Sequence, residues 1–153
     1  LRKETLQGFV HDEASAFFGG LAGNAGLFST ARDVARVYQM LLNGGEIDGQ
    51  RYLSKETCQL FTTETSKISR RGLGFDKPDA DDPKKGNCAP AAPAGVYGHT
   101  GFTGTCAWVD PVNELVYVFL SNRIYPDVTN RKLNQLHIRE RIQGAIYDAM
   151  KKK

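Results

Sequence analysis

Between Val96 and Ser121 the hydrophobic period changes from helical to strand-like, and no other feature narrows the possible folds as much. Val96-Tyr97-Gly98-His99 enters one strand, Thr105 to Val109 forms a second, and Leu115 to Ser121 forms a third. All three are rich in β-branched or aromatic residues. Asp110-Pro111-Val112-Asn113, between the last two, has the residue types of a hairpin turn. The spacing therefore predicts an antiparallel sheet of about three strands.

Helices flank this block. Val34, Tyr38, Leu41 and Leu42 recur at helical spacing, with Ala31 and Ala35 on the same side. Ser29-Thr30 precedes them, and Thr30 with Asp33 has the spacing of a capping box. Asn43-Gly44-Gly45 follows and can adopt the left-handed stop. A short second helix is predicted from Ser54 to about Phe61. The chain closes with a helix capped near Thr129, with Leu133, Leu136, Ile138, Ile142, Ile146 and Ala149 on its apolar side. Residues 76–95 are rich in Pro, Gly, Asp and Lys and read as a surface excursion. The expected fold class is α+β: a helical part over 1–62, strands over 63–128, and a C-terminal helix over 129–150 packed on the sheet. There are no internal repeats, and the whole is expected to form a single domain.

A formal charge of +3 is too small to argue for nucleic acid, and part of it comes from Lys151-Lys152-Lys153. No apolar run approaches the roughly 20 residues that cross a bilayer. Cys58, Cys88 and Cys106 are odd in number and lack CxxC spacing, which argues against a disulfide framework and a zinc site. They are read as buried or incidental thiols. The run from Gly19 to Gly26 (GGLAGNAG) lacks the Gly-Lys-Ser/Thr of a phosphate loop and is read as turn chemistry.

Two segments carry a resemblance. Ala22-Gly23-Asn24-Ala25-Gly26-Leu27-Phe28-Ser29-Thr30-Ala31-Arg32-Asp33-Val34-Ala35-Arg36 resembles the AGxxGLxSTAxDLA stretch of serine β-lactamase-like hydrolases. Gly98-His99-Thr100-Gly101-Phe102-Thr103-Gly104 resembles the third motif of that group, Lys-Thr-Gly in penicillin-recognising members and His-x-Gly in many relatives. Trp108-Val109-Asp110-Pro111 and Leu120-Ser121-Asn122-Arg123 follow it in the family's order. The chain is thus similar to the C-terminal half of a domain shared by class C β-lactamases, penicillin-binding proteins, D-aminopeptidases and esterases. Val10-His11-Asp12-Glu13 resembles bacterial members that are sometimes fused behind a glycosidase domain.

The resemblance implies an acyl-enzyme mechanism, in which the serine of a Ser-x-x-Lys attacks a carbonyl while that lysine and a tyrosine move protons. It implies that His99 stands at the motif lysine, that Thr100 lines the pocket, and that Gly101 leaves room for substrate. The Phe102 N–H would be an oxyanion donor, and Thr103 and Asn122 would contact substrate. A histidine at the lysine position favours esterase or peptidase chemistry over true β-lactamase activity. A small acyl substrate is the implied partner, with no cofactor, no metal and no nucleic acid. A periplasmic or extracellular address is implied by the resemblance alone.

None of the six serines is followed three residues later by lysine, and none of the six tyrosines is followed two residues later by asparagine. The nucleophile is expected upstream of Leu1, and residues 1–153 alone are expected to be inactive. The third strand, Leu115 to Ser121, is then expected to present an open edge through which copies of the chain could associate. Plainer readings stand beside these. His99 could be a strand histidine satisfied by a neighbouring carbonyl, and His11-Asp12-Glu13 a polar loop that caps locally. Trp108 and Tyr117 would be cross-strand packing, and Lys67 to Arg71 a solvated basic surface. The whole chain could also be a non-catalytic binding module that kept the fold.

Overall fold

The computed structural model describes residues 4–63, 68–83 and 85–152. These fall into two compact units divided after Thr30.

The first unit holds one short helix, α1 (Glu13–Phe17). Its N-cap is Asp12, whose Oδ1 accepts from the Ser15 N–H at 2.7 Å and from Asn24 Nδ2 at 3.3 Å. The Ser15 hydroxyl, fully buried, donates to Asn24 Oδ1 at 3.1 Å and ties the helix to the glycine run. Those hydrogen bonds, led by the one from the Ser15 backbone, hold the Asp12 carboxyl below its usual range. The local capping role read for Asp12 is therefore realised. Turn chemistry in GGLAGNAG is realised too: Gly26 has φ +113°, and a Cβ there would lie 2.4 Å from the Gly20 carbonyl oxygen.

The second unit begins with α2 (Ala31–Leu42). The helix ends in a Schellman motif, with the Gly45 N–H donating to Met40 O at 2.8 Å and the Gly44 N–H to Leu41 O at 3.0 Å. Gly44 takes φ +67°, as the motif requires. A hairpin that the sequence reading missed follows, β1 (Glu46–Ile47) and β2 (Gln50–Arg51). Its turn is Asp48-Gly49, both at positive φ, a residue pair that favours such turns. Next comes α3 (Lys55–Thr62), capped by Ser54 Oγ on the Thr57 N–H at 3.1 Å.

The sheet is antiparallel in the order β3 (Tyr97–Thr100), β4 (Cys106–Asp110), β5 (Leu115–Phe119). Its register pairs Gly98 with Trp108 and Trp108 with Tyr117. Trp108 and Tyr117 are buried with Cys88, Val96 and Cys106 in one cluster, so the cross-strand packing read for them is correct. The other face carries Tyr97, whose ring meets Phe75 at 5.4 Å, and Phe75 meets Tyr38 of α2 at 6.3 Å. The fold is α+β, a three-stranded antiparallel sheet with helices before it and a C-terminal helix upon it.

Two expectations are corrected. The C-terminal helix is two, α4 (Lys132–Gln135) and α5 (Ile138–Met150), because His137 takes the left-handed conformation that no helix interior accepts. Thr129 is not a cap but closes a turn on Asp127, whose Oδ1 it meets at 2.8 Å (N–H) and 2.7 Å (hydroxyl). The fully buried stripe of α5 is Arg139, Gln143 and Tyr147; of the expected apolar side Ile146 packs half-buried against the core cluster, while Leu136 and Ile142 are exposed. Burial of these polar side chains is tolerated because partners await all of them but the Arg139 Nε, which is buried without one. Gln143 Oε1 accepts from the Ala89 N–H at 2.8 Å, the Tyr147 hydroxyl donates to Asp110 Oδ2 at 2.9 Å, and Arg139 donates to Thr105 O at 3.3 Å.

The second correction concerns residues 76–95, which are not wholly a surface excursion. Asp76, Lys77, Cys88 and Ala89 are buried, while the other described residues from 78 to 95 are half-buried or exposed. All three thiols are free and buried, and burial pushes Cys88 up to about 12 and Cys106 up to about 11. Among the described residues no helix is long and apolar enough to cross a membrane, and no cluster could hold a metal ion.

Candidate active site on strand β3

Strand β3 is held on both sides. On one it pairs with β4, and on the other Asp76 exchanges backbone hydrogen bonds with Gly98 at 2.7 and 3.0 Å. Gly98 is glycine because Trp108 and its neighbour fill the space, so that a Cβ would lie 2.1 Å from Ala107 O. Gly101 is also explained from within. A Cβ there would lie 2.2 Å from Thr105 Oγ1, so the room expected for substrate is occupied by Thr105.

The Asp76 side chain anchors the segment before it. Arg70 Nε donates to its Oδ1 at 2.8 Å and Arg70 Nη2 to its Oδ2 at 3.1 Å, a two-pronged pair, while Asn87 Nδ2 donates at 2.8 Å. Burial alone would raise the Asp76 carboxyl. The hydrogen bonds from Arg70 and Asn87 and the Arg70 charge outweigh it, and the group lies below its usual range. Arg70 also donates to Lys77 O at 2.9 Å. The reading of Lys67 to Arg71 as solvated surface is thus wrong for Arg70, while Lys67 lies outside the described residues.

His99 is exposed at the end of this strand. Arg71 Nη1 lies 2.9 Å from its Nε2, and its Nδ1 lies 2.7 Å from Thr100 O. Arginine has donors only and a carbonyl oxygen only accepts, so Nε2 carries the lone pair and Nδ1 the proton. The plain reading of His99, satisfaction by a neighbouring carbonyl, is therefore part of the geometry, and the bond from Arg71 is the rest.

Thr100 is half-buried and pairs with Cys106 in the sheet. Beyond it Gly101 to Thr105 make a closed turn, with the Gly101 N–H on Thr105 O at 2.8 Å and the Gly104 N–H on Gly101 O at 2.9 Å. Gly104, at φ +101°, abuts Ser121, Leu133 and Arg123. Phe102 projects from the turn, 62% exposed, with the Arg123 guanidinium 4.6 Å from its ring centroid. The Arg123 N–H donates to Thr103 O at 2.9 Å, so the turn and the segment after β5 are stitched together. Asn122 lies exposed beside Arg123 on that segment. An open cleft of about 320 Å³ begins at Phe102 and Arg123 and continues past Thr129, Arg131 and Asn134. A depression of about 370 Å³ at the β1–β2 hairpin holds none of the residues chosen from sequence.

The arrangement is a strand end that carries an exposed imidazole, a half-buried threonine and a tight turn, with a guanidinium at each end. The family model described as Beta-lactamase matches residues 3–140. The chain belongs to the beta-lactamase family. It is a serine hydrolase-type domain of the β-lactamase and penicillin-binding-protein kind. A protein of Escherichia coli (strain K12), "Putative D-alanyl-D-alanine carboxypeptidase", is 37% identical over 135 residues, which cover 88% of this chain and 31% of that protein. Proteins of the same name from Salmonella agona (strain SL483) and Salmonella typhi are each 38% identical over 141 residues, with the same shares covered. The chain thus spans about a third, 31%, of the length of these curated relatives.

Sequence reasoning chose His99, Thr100, Gly101, Phe102 and Thr103 from one contiguous run, and the strand and turn keep them together. It missed Arg71. The residue is 28 positions from His99, and nothing in a basic stretch announces which arginine will turn toward a distant strand.

Proposed function

We propose that residues 1–153 are the C-terminal part of a serine acyl-enzyme hydrolase that acts on an ester, amide or peptide-like acyl substrate. In this reading Thr100 lines the site and the Phe102 N–H is one donor to the developing oxyanion. His99 occupies the position of the motif lysine, and Thr103 and Asn122 contact substrate. The nucleophile and its proton-transfer partners come from chain outside these residues, since no serine here has a lysine three positions on. The observation that carries the reading is the exposed polar strand end, His99-Thr100, running into the closed Gly101–Thr105 turn. The name the relatives carry favours a peptide ending in D-alanyl-D-alanine over a plain ester. The outer edge of β5 has no strand beside it among the described residues, which supports association through that edge when its partner is lacking.

Labelling with a fluorophosphonate serine probe tests this. The full-length protein should label at a single serine, and residues 1–153 alone should not. Labelling within residues 1–153 would place the nucleophile here and overturn the assignment. The missing Ser-x-x-Lys also suits a binding module without chemistry, and no labelling of either form would favour that reading.

A further inference from the structure

Behind the exposed strand end lies a buried carboxylate with more partners than a salt bridge needs. Asp76 is 1% exposed and accepts from Arg70 Nε at 2.8 Å, Arg70 Nη2 at 3.1 Å, Asn87 Nδ2 at 2.8 Å and the Lys77 N–H at 3.0 Å. Arg70 Nε also donates to Lys77 O at 2.9 Å, and Arg70 Nη1 lies 3.6 Å from Asp79 Oδ2. A buried ion pair adds little net stability over apolar packing of the same volume. What it supplies is direction, because a two-pronged guanidinium–carboxylate pair fixes distance and angle together.

That direction reaches the strand end by two routes. The Asp76 main chain exchanges hydrogen bonds with Gly98, the residue before His99. Its side chain holds Arg70, the residue before Arg71. Between Arg71 and Asp76 the chain reverses in a tight turn, with the Gly72 N–H on Phe75 O at 3.0 Å. Gly72 is wedged against the end of α3, where a Cβ would lie 2.4 Å from Phe61 O. Lys77 Nζ adds two ties, to Thr62 O at 3.1 Å and Val96 O at 3.4 Å. The segment is thus fixed to α3 on one side and to β3 on the other, and Arg71 Nη1 arrives 2.9 Å from His99 Nε2. Arg71 and His99 are both exposed, so packing does not hold them. The buried pair behind them does.

We propose that Asp76 is a positioning residue for the β3 site: through Arg70 it sets Arg71 on His99, and so fixes where the imidazole stands beside Thr100. The effect on reaction rate rests on the hydrolase reading above. The effect on the His99 ring does not.

The test uses the full-length protein and two readouts. The first is the rate of fluorophosphonate labelling. Asp76→Asn should slow it about 10- to 100-fold, the scale on which a misplacement of about 1 Å acts. In an Arg71→Ala background the same substitution should change the rate less than about 2-fold, because the residue it acts through is gone. Arg70→Lys keeps the charge but loses the two-pronged geometry, on a side chain 30% exposed, and should give a smaller loss of the same kind. It decides the matter if Asp76→Asn does not fold. Tyr147→Phe weakens the other end of the sheet and should leave labelling unchanged. Equal slowing by Asp76→Asn in both backgrounds, or the same slowing by Tyr147→Phe, would make Asp76 structural only and overturn the proposal. The second readout is 15N NMR of the His99 ring in histidine-labelled protein, assigned with His99→Gln. Wild type should show the proton on Nδ1 and none on Nε2. Asp76→Asn and Arg70→Lys should mix the tautomers and draw the two signals together, and an unchanged spectrum would overturn the proposal. A protein that does not label at all fails the hydrolase reading by itself, and the ring signals then decide this one.

Discussion

The two ends of the sheet use similar residues to opposite effect. At the β4–β5 turn, Asp110 is 2% exposed and its carboxylate is surrounded by donors. Oδ1 accepts from the Val112 and Asn113 N–H groups at 2.9 and 3.1 Å, and Oδ2 from Asn113 Nδ2 at 2.7 Å and the Tyr147 hydroxyl at 2.9 Å. At the β3 end, His99 also sits beside a turn but stays in solvent, held by one arginine and one carbonyl. A buried polar group must be satisfied from all sides, so it is structural. An exposed one can be left with capacity to spare, and that capacity is what a substrate uses.

This comparison can be broken in order of expected effect. Asp110→Ala removes four hydrogen bonds and orphans the Tyr147 hydroxyl, and should cost about 3–4 kcal/mol in urea unfolding. A cost under about 1 kcal/mol would mean the turn holds without its carboxylate. Asp76→Asn loses the charge of the Arg70 pair and should cost about 2 kcal/mol at pH 7. The Asp76 carboxyl is depressed in the folded protein, so its contribution is present above the unfolded value, about pH 4, and fades as pH falls through the folded one. Unfolding of wild type and variant at pH 7, 5 and 3 should therefore converge toward the acid end, and a constant gap would assign the effect to packing instead.

Tyr147→Phe deletes one hydrogen bond to Asp110 and keeps the ring, so a loss of about 1–2 kcal/mol is expected. Removal of the exposed imidazole by His99→Ala should change stability least, by about 0.5 kcal/mol or less, while fluorophosphonate labelling of the full-length protein slows. A stability loss as large as that of Asp110→Ala would erase the contrast between the two ends.

Much of this was legible in the chain. Asn43-Gly44-Gly45 announced the stop of α2 because a left-handed residue is needed there and glycine supplies it without strain. The strands and the Trp108–Tyr117 pair followed from a period of two. The Asp48-Gly49 hairpin had a signal that went unused, since its strands are only two residues each. For α5 the signal was half right. Its isoleucine positions suggested one face, and Ile146 does pack against the core, but the fully buried stripe is Arg139, Gln143 and Tyr147.

What the sequence determined by itself was local: helix ends, turn chemistry, the alternation of the strands, and the contiguity of the run from His99 to Thr103. These depend on backbone preferences and on neighbours within a few residues. Only the tertiary structure decided that Arg139, Gln143 and Tyr147 could be buried, because the groups that satisfy them, Thr105 O, the Ala89 N–H and Asp110, lie 34 to 54 residues away. It alone decided that Arg70 would turn to Asp76 and Arg71 to His99, since two adjacent arginines are chemically alike until a folded surface gives each a different partner.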